Sequence, residues 1–398
     1  MKYEIKIPFF LAFRQLARGS KWTLALTIFL MAAVFINLIF VSALFRGIVD
    51  GSNDQTINMN TGHIVITPNG DTILPQKDSI ISKIEENTNI EALSDQLQLN
   101  ALLSLGENNG TWNILAIDPE KEKSVTHIYE KLFEGEYLET DDKDGILIGR
   151  QISGGEGVEF DVFSLHANVG DKVNVRIDNQ EREFIVRGIF YSKYVEADMR
   201  AFITRTGLSE IAPEMEDATN RIIIRATEDA DLDLILSDFE SRNIAGTFYT
   251  WEDMAGVMKS VTQSFLSIDV ILSTVASLIA AVTIFIVVYI DISNRRQQIG
   301  ILRAIGIKPY IIRTTYVIIS TFYSVIGVSV GIGLFYGIIV PYFIANPFSL
   351  PIVDATLVVS PADFIIRAES IILISILVSL IPSFMITRMK LLNAIWGK

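Results

Sequence analysis

The sequence predicts an α-helical membrane protein with four transmembrane helices and a large α+β extracytoplasmic domain inserted between the first and second. Three observations predict it. Mean hydropathy is +0.38 and half of the 398 residues are hydrophobic, more than a soluble chain of this length carries. Four long apolar runs stand out, one near the start and three towards the end. Charge is divided between the parts: residues 46–264 hold 19 Lys and Arg against 40 Asp and Glu, a local balance of −21, which leaves +8 for the rest of a chain whose total is −13.

Residues 1–21 form a basic amphipathic segment with Lys2, Lys6, Arg14, Arg18 and Lys21. Residues 22–45 (WTLALTIFLMAAVFINLIFVSALF) follow without a charge, where about 20 apolar residues suffice to cross the hydrocarbon core. The apolar part is too long for a signal peptide and no small-residue cleavage site follows, so a retained anchor is expected. The other spans are predicted at 265–291, 314–344 and 368–387, joined by a polar segment at 292–313 and a short loop at 345–367, with a tail at 388–398. Arg295, Arg296, Arg303, Lys308 and Arg313 lie in the polar segment, and Arg388, Lys390 and Lys398 follow the last span. Four spans put the three basic segments on one side, and the Lys/Arg bias assigns that side to the cytoplasm. The acidic region 46–264 then faces outward from the cell membrane.

Within that region, strand-like runs occur at 62–67, 111–117, 145–149, 171–177, 182–191 and 220–226, bounded by Gly, Asn and Asp. Helical patterns lie at 79–86, 119–133 and 230–242, the last opened by acidic residues that suit a helix N-terminus. Neither a solenoid repeat nor a low-complexity tract is present.

Candidate chemistry is sparse. The chain has no cysteine, which excludes disulfides, thiolate metal sites and a cysteine nucleophile. His63, His127 and His166 are scattered, without a second ligand at helical spacing, and read as packed or solvated side chains. The acidic runs ETDDKD (139–144) and EMED (214–217) lack calcium-loop spacing and read as solvated surface. No phosphate-binding loop occurs, so no ATP is bound and hydrolysed by that route, and neither a cofactor, a metal nor a nucleic-acid partner is expected for this chain. Asp269 and Asp291 sit at the two ends of the second span, as helix-end carboxylates, and the spans offer no charged lining at mid-membrane. In the third span, Gly327, Gly331, Gly333 and Gly337 let another helix approach closely. Packing within the chain and packing against a second chain both explain them.

Between the second and third spans, residues 295–309 read RRQQIGILRAIGIKP. As a helix this places Ile299, Leu302 and Ile305 on one side and Arg296, Gln297, Gly300 and Arg303 on another, and Pro309 opens the next helix. Such a helix suits either lipid headgroups or a cytoplasmic partner.

The pattern R-x-x-x-I-G-I-x-R-A-I-G after the second of four spans resembles the cytoplasmic coupling segment of the MacB, LolC/LolE and FtsX-type permeases, the membrane subunits of ABC transporters. The likeness extends to LAFRQLARGSKWTLAL at the entry to the first span and to LIPSFMITRMKLLNAI at the end, with Pro382, Arg388 and Ala394. AIDPEKEKSVTHIYEKLFEGEYL (116–138), GILIGRQI (145–152) and NVGDKVNV (168–175) look like the ectodomain of the lipoprotein-releasing LolC/LolE branch.

The resemblance implies a non-catalytic permease subunit of an ABC transporter. It would work with two ABC ATPase subunits, which hold ATP and magnesium, and with a second identical or homologous permease in a dimer. ATP hydrolysis would be transmitted mechanically to the ectodomain, to extract or export an amphiphilic cargo such as a lipoprotein or lipid-like molecule. The residues matching the coupling segment are Arg295, Arg296, Gln298, Ile299, Gly300, Leu302, Arg303, Ala304 and Gly306. Gln298 departs from the family, which often has glutamate there. The alternative is an FtsX-like signalling permease acting on an extracytoplasmic partner protein, a cell-wall hydrolase or sensor, without moving cargo.

Overall fold

The computed structural model describes residues 2–18, 21–70, 72–155, 158, 164–350 and 353–388. Lys390, Ala394 and Lys398 of the expected tail lie outside them. The chain divides into two compact units. One comprises Met1–Asp50, Thr262–Ser349 and Asp354–Lys398; the other is Gly51–Val261 with Leu350–Val353.

In the first unit, four helices are long and apolar enough to span a membrane: Lys21–Thr61, Met258–Asn294, Pro309–Ala345 and Pro361–Arg388. The first and second run on into the other unit. A separate helix, Lys2–Arg18, precedes them, and its Gln15 amide donates to the Tyr316 hydroxyl of the third span at 3.1 Å. The third span opens with Pro309, whose missing N–H costs nothing at a first helical position, and passes through a π-helical turn at Phe335–Ile339. The glycines divide. A Cβ on Gly327 would lie 2.3 Å from Met31 Cβ, and one on Gly331 would lie 2.8 Å from Phe35 Cδ1, so this pair seats the first span against the third. Around Gly333 and Gly337 nothing lies within 4 Å. The third and fourth spans are also joined by Ser320 and Ser375, whose hydroxyls are 2.6 Å apart. The apolar window of the second span is only 11% buried, which leaves most of that helix for lipid or another chain.

Both carboxylates at the ends of the second span are paired. Asp269 lies 3.4 Å from Arg367 of the fourth span and accepts from Ser42 of the first at 3.1 Å, while Arg367 also donates to Ser42. Asp291 binds Arg295 at 3.0 Å.

Among the described residues, the second unit contains ten strands in one connected sheet: β1 (Ile64–Thr67), β2 (Ile90–Leu105), β3 (Asn108–Ile117), β4 (Leu132–Gly135), β5 (Gly145–Gly149), β6 (Lys172–Ile177), β7 (Gln180–Phe190), β8 (Arg200–Thr204), β9 (Arg221–Ala226) and β10 (Thr247–Thr250). Two sub-structures share β2. Residues 90–96 of β2 pair with β9, giving the order β10-β1-β9-β2 with all neighbours antiparallel. The helices Lys77–Glu85 and Leu232–Ser241 fall after β1 and β9, so this part is a split β-α-β arrangement of the β-α-β-β-α-β kind. Its core packs Ile64, Ile66, Ile222 and Ile224 with Ile80, Ile84, Ile235 and Phe239. The rest of β2 pairs with β3 and β6, and the ring β2-β3-β8-β5-β7-β6 closes on itself around Leu103, Ile114, Ile146, Val173, Phe184 and Ile203. The ring is thus an insertion between the second and third strands of the split β-α-β part.

Two helical patterns form close to where the sequence places them. The third, 119–133, ends early: the helix stops at Val125, a 3₁₀ turn covers Ile128–Lys131, and β4 begins at Leu132. The chain turns there because Thr126 returns its N–H to the Glu122 carbonyl and the His127 N–H goes to the Asn58 carbonyl at 2.7 Å.

Candidate functional site

The polar segment between the second and third spans forms the helix Arg296–Ala304. It ends in a Schellman motif: Ile307 N–H reaches the Leu302 carbonyl and Gly306 N–H the Arg303 carbonyl, both at 3.1 Å, with Gly306 at φ +95°. Ile305 therefore lies past the helix end and does not join the side of Ile299. Ile299 and Gly300 are buried; Gln297, Gln298, Ile301, Ala304 and Ile305 are exposed, with Ile301 at 50% and Ile305 at 71%. The apolar groups offered outward are thus Ile301 and Ile305, a different split from the one the helical period suggests. Of the residues that match the coupling pattern, Gln298 and Ala304 face outward, Leu302 and Arg303 are half-buried, and Arg295 is committed to Asp291. Ile299 and Gly300 anchor the helix and Gly306 terminates it. Arg296 flanks a cavity.

In the other unit, a second constellation surrounds the end of the first long helix. After Thr56 the helix widens into a π-helical turn, Ile57–Thr61, and Gly62 leads into β1. Gly62 has φ +60°, and a Cβ there would lie 2.5 Å from the Ile224 carbonyl oxygen, so only glycine lets the turn reach the sheet. His63 N–H donates to that same carbonyl at 2.7 Å.

Three arginines hold the turn. Arg221 donates to the Asn60 carbonyl and side-chain oxygens, both at 2.8 Å, and to Gln96 at 3.1 Å. Arg200 also donates to the Asn60 side-chain oxygen, and to Glu196 at 2.8 Å. Arg225 donates to Asn58 at 2.8 Å and to the Val125 carbonyl. Glu122, itself buried, accepts from Ser94, Gln96 and Thr126 and places a negative charge among the arginines. Burial, added to by the neighbouring Arg200 charge, pulls the Arg221 guanidinium down to about 9.

This assembly follows from strand alternation. Along β9, Ile222 and Ile224 enter the apolar core, while Arg221 and Arg225 point to the opposite face, which β2 shares through Ser94 and Gln96. The helix Pro119–Val125 and the π-helical turn supply the partners for that face. The strand beside β1 completes the arrangement: β10 pairs with it in the register Ile64↔Thr250. Thr250 is the N-cap of a capping box with Asp253 that opens the short helix Trp251–Met254, and the second long helix begins after it at Gly256, where φ is +50°. In sequence, the first long helix thus runs into β1, and β1 pairs with β10, the strand that precedes the second long helix. None of these junction residues carries a motif; the available signal was the arginine pair at i, i+4 in an otherwise apolar strand.

The other polar candidates stay structural. His63 Nδ1 accepts from Ala226 N–H at 3.1 Å, and burial lowers its affinity for a proton. In the acidic run at 139–144, Asp142 and Asp144 both bind Arg187 at 2.8 Å. Among the described residues no group of three or more His, Asp or Glu could hold a metal ion.

Comparison with known proteins gives a family match and several relatives. Residues 270–391 match the FtsX-like permease C-terminal family. An uncharacterized ABC transporter permease, MJ1507 of Methanocaldococcus jannaschii, is 26% identical over 208 residues, which cover 50% of this chain and 49% of that protein. The ABC transporter permease YtrF of Bacillus subtilis is 36% identical over 64 residues, 16% of this chain and 15% of that one. The chain thus spans about half the length, or less, of these curated relatives. Among solved structures, the periplasmic region of MacB from Actinobacillus actinomycetemcomitans aligns with a TM-score of 0.36 and 14% identity, covering 52% of this chain and 96% of that one. The extracellular domain of the noncanonic ABC-type transporter YknZ from Gram-positive bacteria aligns at 0.33 and 11%, covering 48% and 99%. The sequence matches support an ABC transporter permease of FtsX-like type.

Proposed function

We propose that this chain is the permease subunit of an ABC transporter in which a partner's ATP hydrolysis drives the α+β unit as a mechanical device on the outer side of the cell membrane. The single observation that carries the reading is the junction: a continuous helix, Lys21–Thr56, whose π-helical end is held by Arg200, Arg221 and Arg225 and passes at once into β1. A displacement of such a helix along or across its axis is borne by three charge-assisted anchors instead of a flexible linker.

In this reading the helix Arg296–Ala304 receives the ATPase through Gln297, Gln298, Ile301, Ala304 and Ile305. Two ATPase subunits and a second permease complete the unit, with the open face of Gly333 and Gly337 available to the second permease. The cargo is amphiphilic, a lipoprotein or lipid-like molecule, because the spans offer ion-paired groups at their ends and no polar route through the middle. The basic segments lie in the cytoplasm.

The test is reconstitution of the full chain with its ATPase in vesicles, with Arg221→Gln beside the parent. Hydrolysis that continues while ATP-dependent release of a lipidated reporter is lost supports the reading. Equal release by parent and variant, or turnover without any ATPase partner, refutes it.

A further inference from the structure

Beside the coupling helix lies a cavity of about 240 Å³, lined by Tyr289, Ile292 and Ser293 of the second span, by Arg296, and by Pro382, Met385 and Ile386 of the fourth. The volume equals roughly eight waters at about 30 Å³ each, more than a single bridging water fills. Arg296 Nε is buried here with no hydrogen-bond partner, and the side chain makes no ion pair among the described residues. Its neighbour Arg295 differs: that guanidinium is satisfied by Asp291 at 3.0 Å. A buried guanidinium donor without an acceptor is costly, and where a cavity adjoins it, as it does Arg296, the cavity can hold the acceptor.

The lining says which group. Arg296, the Ser293 hydroxyl and the Tyr289 phenol offer donors on one side, and no carboxylate lines the cavity to compete for them. The remaining wall is hydrocarbon. From Tyr289, the exposed Ile286 and Val282 continue the same helical face away from the cavity; from Met385, the exposed Ile381 and Leu377 do likewise on the fourth span. Two apolar stripes thus leave a cationic, hydroxyl-bearing cavity at the same ends of two membrane helices. That is the shape of an amphiphile with an anionic head and a long tail. Basic pockets between membrane helices bind phosphate headgroups in this manner.

We propose that this cavity binds the phosphate headgroup of an anionic phospholipid, with Arg296 as its principal ligand and an acyl chain along the Val282–Ile286 and Leu377–Ile381 stripes. Arg296 then belongs to the membrane, and the ATPase-facing surface of the coupling helix is its other side, Gln298, Ile301 and Ile305. The lipid would brace the start of the coupling helix against the fourth span at Pro382, which lies inside that helix.

The test is native mass spectrometry of the full purified chain in mixed micelles of phosphatidylglycerol and phosphatidylcholine. The parent is expected to retain phosphatidylglycerol about tenfold over phosphatidylcholine, the size of one charge-assisted contact. Arg296→Gln should abolish the preference, as should Met385→Trp, which fills the cavity without altering charge, whereas Gln298→Ala should keep it. Equal retention of both lipids by the parent, or an unchanged preference in both cavity variants, overturns the proposal. Displacement of the lipid by inorganic phosphate at equal concentration would mark a free-anion site and overturn it too. So would an Arg296→Gln chain that loses its ATPase while keeping the lipid preference.

Discussion

The junction and the coupling helix are both places where a membrane helix meets something outside the bilayer, and they are built in opposite ways. At the junction, Arg200 and Arg221 are buried with Glu122, Gln96 and Asn60, and these side chains are hydrogen-bonded to one another or to the chain, with Arg200 Nε left over. On the coupling helix, Gln298, Ile301 and Ile305 are exposed, so polar and apolar groups stand side by side at its surface. The difference is between an enclosed attachment and an exposed helix face, which the proposed function reads as an anchor and a docking surface. A connection that must never release is enclosed, because breaking a buried charge network is expensive. One that must receive another protein leaves its contact groups open.

That contrast can be broken first at Arg221. Arg221→Met leaves the Asn60 carbonyl and the Gln96 side-chain oxygen without their arginine donor and takes a positive charge from beside Glu122 in a dry site, and the full chain should lose about 3–5 kcal/mol in denaturant titration. Gln298→Ala should change stability by less than about 0.5 kcal/mol while weakening ATPase co-purification. A junction variant as harmless as the coupling one would remove the distinction.

Next in size is Gly62→Ala, which forces a Cβ into the Ile224 carbonyl at φ +60°; a loss of about 2–3 kcal/mol is expected, visible as a lower Tm. Within the membrane unit, Gly327→Ala meets Met31 and should cost about 1–3 kcal/mol, whereas Gly333→Ala meets nothing and should leave the monomer's stability unchanged. Comparing the two by thermal unfolding in detergent separates packing within the chain from packing outside it.

The smallest effect is a pH dependence. Asp198 is buried, which raises its carboxyl to about 6, although Ser192 N–H and hydroxyl both donate to it. A folded-state pKa above the unfolded value of 3.8 means that the proton favours the fold. That contribution is fully present below the unfolded value and fades as pH rises through about 6. The full chain should therefore lose a few degrees of Tm between about pH 5 and pH 7.5, and Asp198→Asn should flatten the slope.

Much of this architecture is legible in the sequence, for physical reasons that differ by element. The four apolar runs identify the long helices because no soluble fold needs such uninterrupted hydropathy. Strands such as β5, β6 and β9 are recognisable as short β-branched runs between turn residues. The longest strand, β2, is not: IEALSDQLQLNALLSL is rich in helix formers, and its extended form is imposed by pairing with β9, β3 and β6. The coupling segment announces itself, but its outward face does not, because the Schellman turn at Gly306 removes Ile305 from the helical period. The junction is the least legible part. Asn58 and Asn60 become ligands for arginines more than 130 residues away only once the split β-α-β core has formed.

The central claim is that the exposed side of the coupling helix meets an ATPase. The chain has no native cysteine, so Ile301→Cys gives a single thiol on that side, and Phe133→Cys gives one on the exposed surface of the α+β unit. Thiol cross-linking in cells that carry the cognate ATPase should yield a permease–ATPase adduct from Ile301→Cys and none from Phe133→Cys. An adduct from Phe133→Cys, or the absence of one from Ile301→Cys with both proteins in the membrane, would contradict the account.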